Sequence, residues 1–345
     1  MPYKVQQADR RNMIARVHII LPFQLFVPEG REFKLHPYDD EGYRVIVYPP
    51  VKTDRPAPGT VPDAVEINNA PAFVANGLRI DFHKSSFDRT VGKGVDPPIA
   101  IIQRATDSFL TRLRYVTRGA HLQALPWPKV SWRLRYLNDD ESELPEQEGV
   151  ARGHGTAGFS VSFAVVSTEV WDYVHSLPPR FEPPAWDVLR LDANNAIGHV
   201  GTAVVLAATC LEVFITHILD SIALKGAVPK PLWEWINRRG DWLREPSTEE
   251  QFDSLLKFLA GHSLKENPKL WEAFKNLKTA RNSFVHEGMA KIGGKSVCEQ
   301  DALNFIVRAN EIIAMLRDWL PVDLRWPEFA LKTEFKFHTG LDKVA

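Results

Sequence analysis

Cysteine is nearly absent: Cys210 and Cys298 are the only two among 345 residues. Two thiols build neither a disulfide framework nor a metal quartet, and such usage fits a reducing cytosol. An apolar leader is missing as well. The first residues, MPYKVQQADRRNM, are charged and carry no hydrophobic core, so no secretory signal is expected. No uninterrupted apolar run reaches the roughly 20 residues that cross a bilayer. The most apolar stretch, about 200–224, follows His199 and is broken by Glu212, His217 and Asp220, and it reads as a core helix. A cytoplasmic protein with no membrane partner is the expectation. Neither sign of charge dominates: the formal balance is −1, so contact with a polyanion requires a local patch. No internal repeat or low-complexity segment is visible.

Hydrophobic residues make up 44% and charged residues 25%, as in folded globular chains, and the length allows two cores. The 25 prolines gather in loops. The densest group, LPPRFEPPA at 177–185, has four prolines in nine residues and can continue neither a helix nor a central strand. It divides the chain into residues 1–176, a linker at 177–185, residues 186–320 and a tail at 321–345.

The first part reads as α+β with a mainly antiparallel sheet. IARVHIILPFQLFV (14–27) is β-branched and aromatic and reads as a buried strand or strand pair with Pro22 as a break. REFKLHPYDDEGYRVIVY (31–48) gives two strands about a turn, and GLRIDFHK (77–84) gives another. PPIAIIQRA (97–105) reads as a strand leading into a helix capped by Thr106. VSWRLRYL (130–137) alternates as a strand does, and six acidic residues at 138–149 precede strand FSVSFAVV (159–166) and a helix around 168–176. The second part reads as an all-α bundle. One long helix covers 186–224, with Gly198 and Gly201 as points of bending. A short aromatic helix at 231–243 follows, then a helix opened by a Ser247/Glu250 capping box. The tail, with FALKTEFKF, suits either a strand or packing back on the first domain.

The chemistry concentrates in NPKLWEAFKNLKTARNSFVHEG, 267–288. Asn267 is a suitable N-cap, Pro268 is harmless in a first turn, and Gly288 supplies the stop. On a helical wheel Leu270, Phe274, Leu277 and Phe284 form an apolar stripe with Arg281 in its midst. A guanidinium in such a seam needs a buried partner, an interface or an anionic ligand. Trp271, Lys275, Lys278, Asn282 and His286 share a second, polar face. Asn282 and His286 are four apart, close enough for the amide to orient the imidazole. Arg281 and His286 are about 140° apart around the axis, so one ideal helix does not aim both at one atom. Either the last turn unwinds before Gly288, or a second copy of the helix completes the site. Residues 261–295 carry seven Lys/Arg against three Glu, a local basic patch.

R-N-S-F-V-H at 281–286, set between a long apolar helix containing Leu211-Glu212 and a further amphipathic helix, resembles the signature of the HEPN domains. The likeness covers about residues 186–320. It implies a helical bundle, a homodimer, and metal-independent RNA cleavage with no cofactor. In that chemistry the RNA supplies its own 2′-OH as nucleophile. His286 would move protons, Arg281 would hold the non-bridging oxygens, and Asn282 would orient His286 or bond the phosphate. Lys275, Lys278 and Trp271 would bind the strand, and Glu212 would hold Arg281 or His286 from behind. The resemblance further implies a toxin or antiviral defence effector. Residues 1–176 would then act as sensor, regulator or target-recognition module, open to a protein or phage-derived trigger. A plainer reading pairs Arg281 with Glu212 as a structural charge and leaves His286 as a helix-end histidine favoured by the dipole. The alternative function is a HEPN-like scaffold without nuclease activity that binds RNA, a nucleotide or a protein.

Other motifs carry less. G-H-G-T-A-G at 153–158 matches the dinucleotide pattern but precedes a strand instead of a helix, and Gly92-Lys93-Gly94 lacks the rest of a phosphate loop. His199 and His217 are about 27 Å apart along one helix and share no metal. Asp81 and His83 lie on one face of a strand with no nucleophile beside them, so they read as a polar strand end. Arg133, Arg135 and the Arg-rich segment 112–118, near Trp127, Trp132 and Tyr136, suit phosphate contacts, although alternating arginines are more simply the solvated side of a sheet.

Overall fold

A computed structural model describes residues 13–53, 64–88, 95–127, 130–138, 140–142, 152–153, 163–238, 245–326 and 335–338. Residues 92–94, 154–158 and most of the acidic stretch 138–149 lie outside these. The chain forms two compact units, Met1–Glu182 with Phe329–Ala345, and Pro183–Glu328. The division falls within the proline-rich stretch 177–185.

The first unit is built on a long strand, β1 (Met13–Pro28). It is followed by β2 (Tyr38–Asp40), β3 (Tyr43–Val47), β4 (Ala64–Ile67), β5 (Ala70–Lys84), α1 (Ile99–Thr117), β6 (Ser131–Leu137), β7 (Arg152–Gly153), β8 (Phe163–Val165) and α2 (Thr168–Ser176). Strands β4, β5, β1, β6 and β7 lie side by side and antiparallel, β3 adds beside β5, and β8 alone runs parallel to β1. Alternation sorts β1: Ala15, Val17, Ile19, Leu21, Phe23 and Leu25 enter a core shared with Phe109 of α1 and Trp171 of α2. The even-numbered residues face the other way, where Phe26 joins Val65, Ile67 and Val165 in a smaller apolar cluster.

One expectation fails here. Residues 99–105 are the first turns of α1, not a strand. The apolar positions Ile101, Ile102, Ala105, Phe109, Leu113 and Val116 recur at helical spacing, and this periodicity outweighs the β-branched content. Thr106 is not a cap. It is buried inside the helix, where its hydroxyl donates to the Ile102 carbonyl.

The second unit is helical: α3 (Ala185–Asn195), α4 (Val200–Ile222), α5 (Lys230–Ile236), α6 (Thr248–Glu250), α7 (Leu256–Ala260), α8 (Pro268–Glu287) and α9 (Glu299–Trp319), with a hairpin of β9 (Lys291–Ile292) and β10 (Lys295–Ser296) after α8. The expected helix over 186–224 is two helices, because the chain breaks at 196–199 where Gly198 lies. Gly201 does not bend α4. It is the seat of Phe284: a Cβ at Gly201 would come within 1.9 Å of that ring. The α4 segment is long and apolar enough to cross a membrane by length and composition alone. Its inward residues Ala207, Leu211, Phe214 and Ile218 join those of α8 and α9 in one core. The Ser247 capping box forms, with Ser247 N–H donating to Glu250 Oε2 at 2.8 Å. The aromatic helix α5 ends at Ile236, and residues 239–243 lie outside the described set.

The tail resolves the choice left open by the sequence: β11 (Phe335–His338) pairs antiparallel with β4 and joins the first unit's sheet.

Candidate active site

Helix α8 forms where its capping residues place it. Asn267 Oδ1 accepts from the Leu270 N–H at 3.2 Å, and Gly288 ends the helix at φ 73° with its N–H on the Phe284 carbonyl at 2.8 Å. The left-handed conformation at Gly288 is the reason a glycine stands there. Helical geometry holds through Glu287, so the unwinding of the last turn that the sequence left open does not occur.

The buried face of α8 is Leu270, Phe274, Leu277 and Ala280, with Phe284 partly buried against Gly201. Ala280 is fully buried at one edge of this face, while Arg281, central to the stripe on the wheel, reaches outward along its long side chain and leaves its charged head at the rim. Its side chain keeps 33% of its surface exposed, so the expectation of a guanidinium inside the apolar seam is corrected to one at the border. There Arg281 Nη1 donates to Asn282 Oδ1 at 3.0 Å, and Nη2 stands 3.9 Å from Glu212 Oε2. The Nε–H is buried and meets no acceptor among the described residues. Glu212 is itself 35% exposed, so this separation at the outer limit of an ion pair adds little stability.

The amide of Asn282 therefore serves Arg281, not His286, and the expected Asn282–His286 contact is absent among the described residues. The guanidinium on the adjacent residue is a charged donor and takes the amide oxygen. His286 stands exposed beyond them, flanked by the exposed apolar side chains of Val285 and Met289. Lys275 is paired with Glu272 at 2.7 Å, and Lys278 reaches Glu249 at 2.7 Å. Trp271 packs its ring 5.4 Å from Phe274, with Lys265 Nζ 5.2 Å from its centre. The structure thus gathers Arg281, Asn282 and Glu212, leaves His286 apart on the solvent side, and gives both lysines carboxylate partners. The pairing of Lys278 with Glu249 was not legible locally, since the partners are 29 positions apart.

No group of three or more His, Cys, Asp or Glu able to hold a metal occurs among the described residues. His217 packs against Trp186 with the rings tilted and their centres 4.6 Å apart. Asp81 is not a polar strand end. It is fully buried, gripped by Arg16 (Nε–Oδ1 2.9 Å, Nη2–Oδ2 2.9 Å) and Arg79 (Nε–Oδ1 3.1 Å, Nη2–Oδ2 2.6 Å). Burial pushes its carboxyl up, and the two guanidinium forks more than reverse this, holding its pKa below the usual carboxylate range. Arg112 is also buried, bonding the carbonyls of Ser108, Val174 and Leu177, and so is no phosphate contact. Comparison of the chain with protein-family models, with curated proteins and with solved structures finds no match.

Proposed function

We propose that the helical unit is a HEPN-type endoribonuclease that cuts RNA by attack of the RNA's own 2′-OH, without metal or cofactor, at a site completed by a second copy of the chain. The observation that carries this is Arg281: a rim guanidinium with one amide contact, a distant carboxylate and an unbonded Nε–H, poised on the same helix as an exposed imidazole. Such a fork suits the non-bridging oxygens of a phosphorane, and the imidazole of His286 suits proton transfer to or from the 2′- and 5′-oxygens. Glu212 and Asn282 hold the guanidinium, so their role is to position it. Because α8 stays helical to Glu287, the two groups diverge within one chain, which favours the shared site. The exposed Val285 and Met289 beside His286 are the apolar contacts a second copy would cover. A toxin or antiviral effector is the setting that fits such an activity.

A second reading, a HEPN-like scaffold that binds RNA, a nucleotide or a protein without cutting, draws support from the carboxylates paired to Lys275 and Lys278. One experiment separates the two. Labelled RNA is incubated in chelator with the wild-type chain, Arg281→Ala and His286→Ala. Each substitution is expected to lower the cleavage rate by about 100-fold or more. Rates equal to wild type in both would end the nuclease reading. Mixing the two inactive variants is expected to restore part of the activity, since a mixed dimer retains one site with both groups.

A further inference from the structure

The face of the first sheet turned away from α1 and α2 carries four arginines in two cross-strand rows. Register sets Arg79 (β5), His18 (β1) and Arg133 (β6) in one cross-strand row, and Asp81, Arg16 and Arg135 in the next. Neighbouring strands are about 4.8 Å apart and successive rows about 7 Å, so the guanidinium groups of both rows lie within reach of one extended chain. The buried Asp81 carboxylate fixes two of these forks from below, which leaves them ordered before any ligand arrives. Arg79 also holds its Cζ over the Tyr48 ring, 3.8 Å from its centre, with 22% of its side chain still exposed. A second anion already sits on the outer side. Glu141, 55% exposed, places its oxygens 3.0 and 3.1 Å from Arg16 and 3.5 Å from Arg79.

We propose that this sheet face binds the phosphate backbone of a single-stranded nucleic acid, and that Glu141 occupies part of the same site as a competing internal anion. Guanidinium forks match phosphate geometry, and the Arg79–Tyr48 cation–π pair offers a stacking surface for a base, which an acidic peptide has no use for. Trp132 and Tyr136 are not part of this platform, since they pack against the core on the opposite face. The inference does not rest on cleavage at α8: binding here needs phosphates and bases, not a 2′-OH.

The test is fluorescence anisotropy with a short labelled oligodeoxythymidine, which lacks the 2′-OH and so is not cut by the proposed chemistry. The wild-type chain is expected to bind it with an affinity that falls steeply with added salt. Arg133→Ala combined with Arg135→Ala is expected to weaken binding about tenfold. Glu141→Ala, which removes the competing anion from an exposed side chain, is expected to tighten it severalfold. No binding by wild type, unchanged affinity in the double variant, or no gain in Glu141→Ala overturns the proposal. Equal affinity for a polyglutamate chain does so too, by marking the face as a dock for acidic protein segments.

Discussion

At the scale of single residues, the reach of a side chain mattered as much as its position on the helix wheel. Arg281 falls on the apolar stripe that Leu270, Phe274, Leu277 and Phe284 define, yet its long side chain leaves the guanidinium partly exposed at the rim. The caps Asn267 and Gly288 were legible because their action is local, confined to one turn. The seating of Phe284 on Gly201 was not, since 83 residues separate them in sequence. Gly201→Ala forces a methyl into that ring, so a loss of about 1–3 kcal/mol is expected in urea unfolding of the full chain. Adding Phe284→Ala removes the clash, and the double variant is expected to lose less than the two single losses added together.

At the scale of elements, strands and helices followed their periodicity wherever one signal stood alone. β6 formed as expected from alternation, β1 formed from β-branched and aromatic sequence but runs through Pro22 without the expected break, and the Ser247 box opened α6. Residues 99–105 misled because Ile-rich sequence suits both states, and only the continuation to Phe109 and Leu113 shows the helical period. The Arg16–Asp81–Arg79 triad was hidden because sheet pairing, not sequence spacing, brings β1 against β5. Helix α2 and the segment after α1 carry a pH liability. Burial, then Arg112 and His36, lower the His175 pKa to about 3, and burial, then Arg114, lowers that of His121 to about 4. Both values lie below the ordinary histidine value near 6.5, so between them the unfolded chain binds more protons than the folded one. Stability is full above about pH 6.5 and falls as pH drops toward 4 and then 3, by at most about 1.4 kcal/mol per pH unit for each histidine. Urea unfolding read by tryptophan fluorescence is expected to show this slope, and His175→Gln to flatten it.

At the scale of the whole molecule, the chain joins a sheet unit with a cationic face to a helical unit with a poised guanidinium and imidazole on one helix. The division between the units falls within the prolines at 177–185, and the tail was legible only as a choice between a strand and packing back on the first domain, since pairing across the whole chain leaves no local mark of its partner strand. The central claim is that RNA is cut by its own 2′-hydroxyl at the α8 site. The chemical identity of the product ends, read by mass spectrometry after incubation in chelator, tests it most directly. Fragments with 2′,3′-cyclic phosphate and 5′-hydroxyl ends, lost in His286→Ala, are the expected result. Fragments with 3′-hydroxyl and 5′-phosphate ends, or intact RNA, would contradict it.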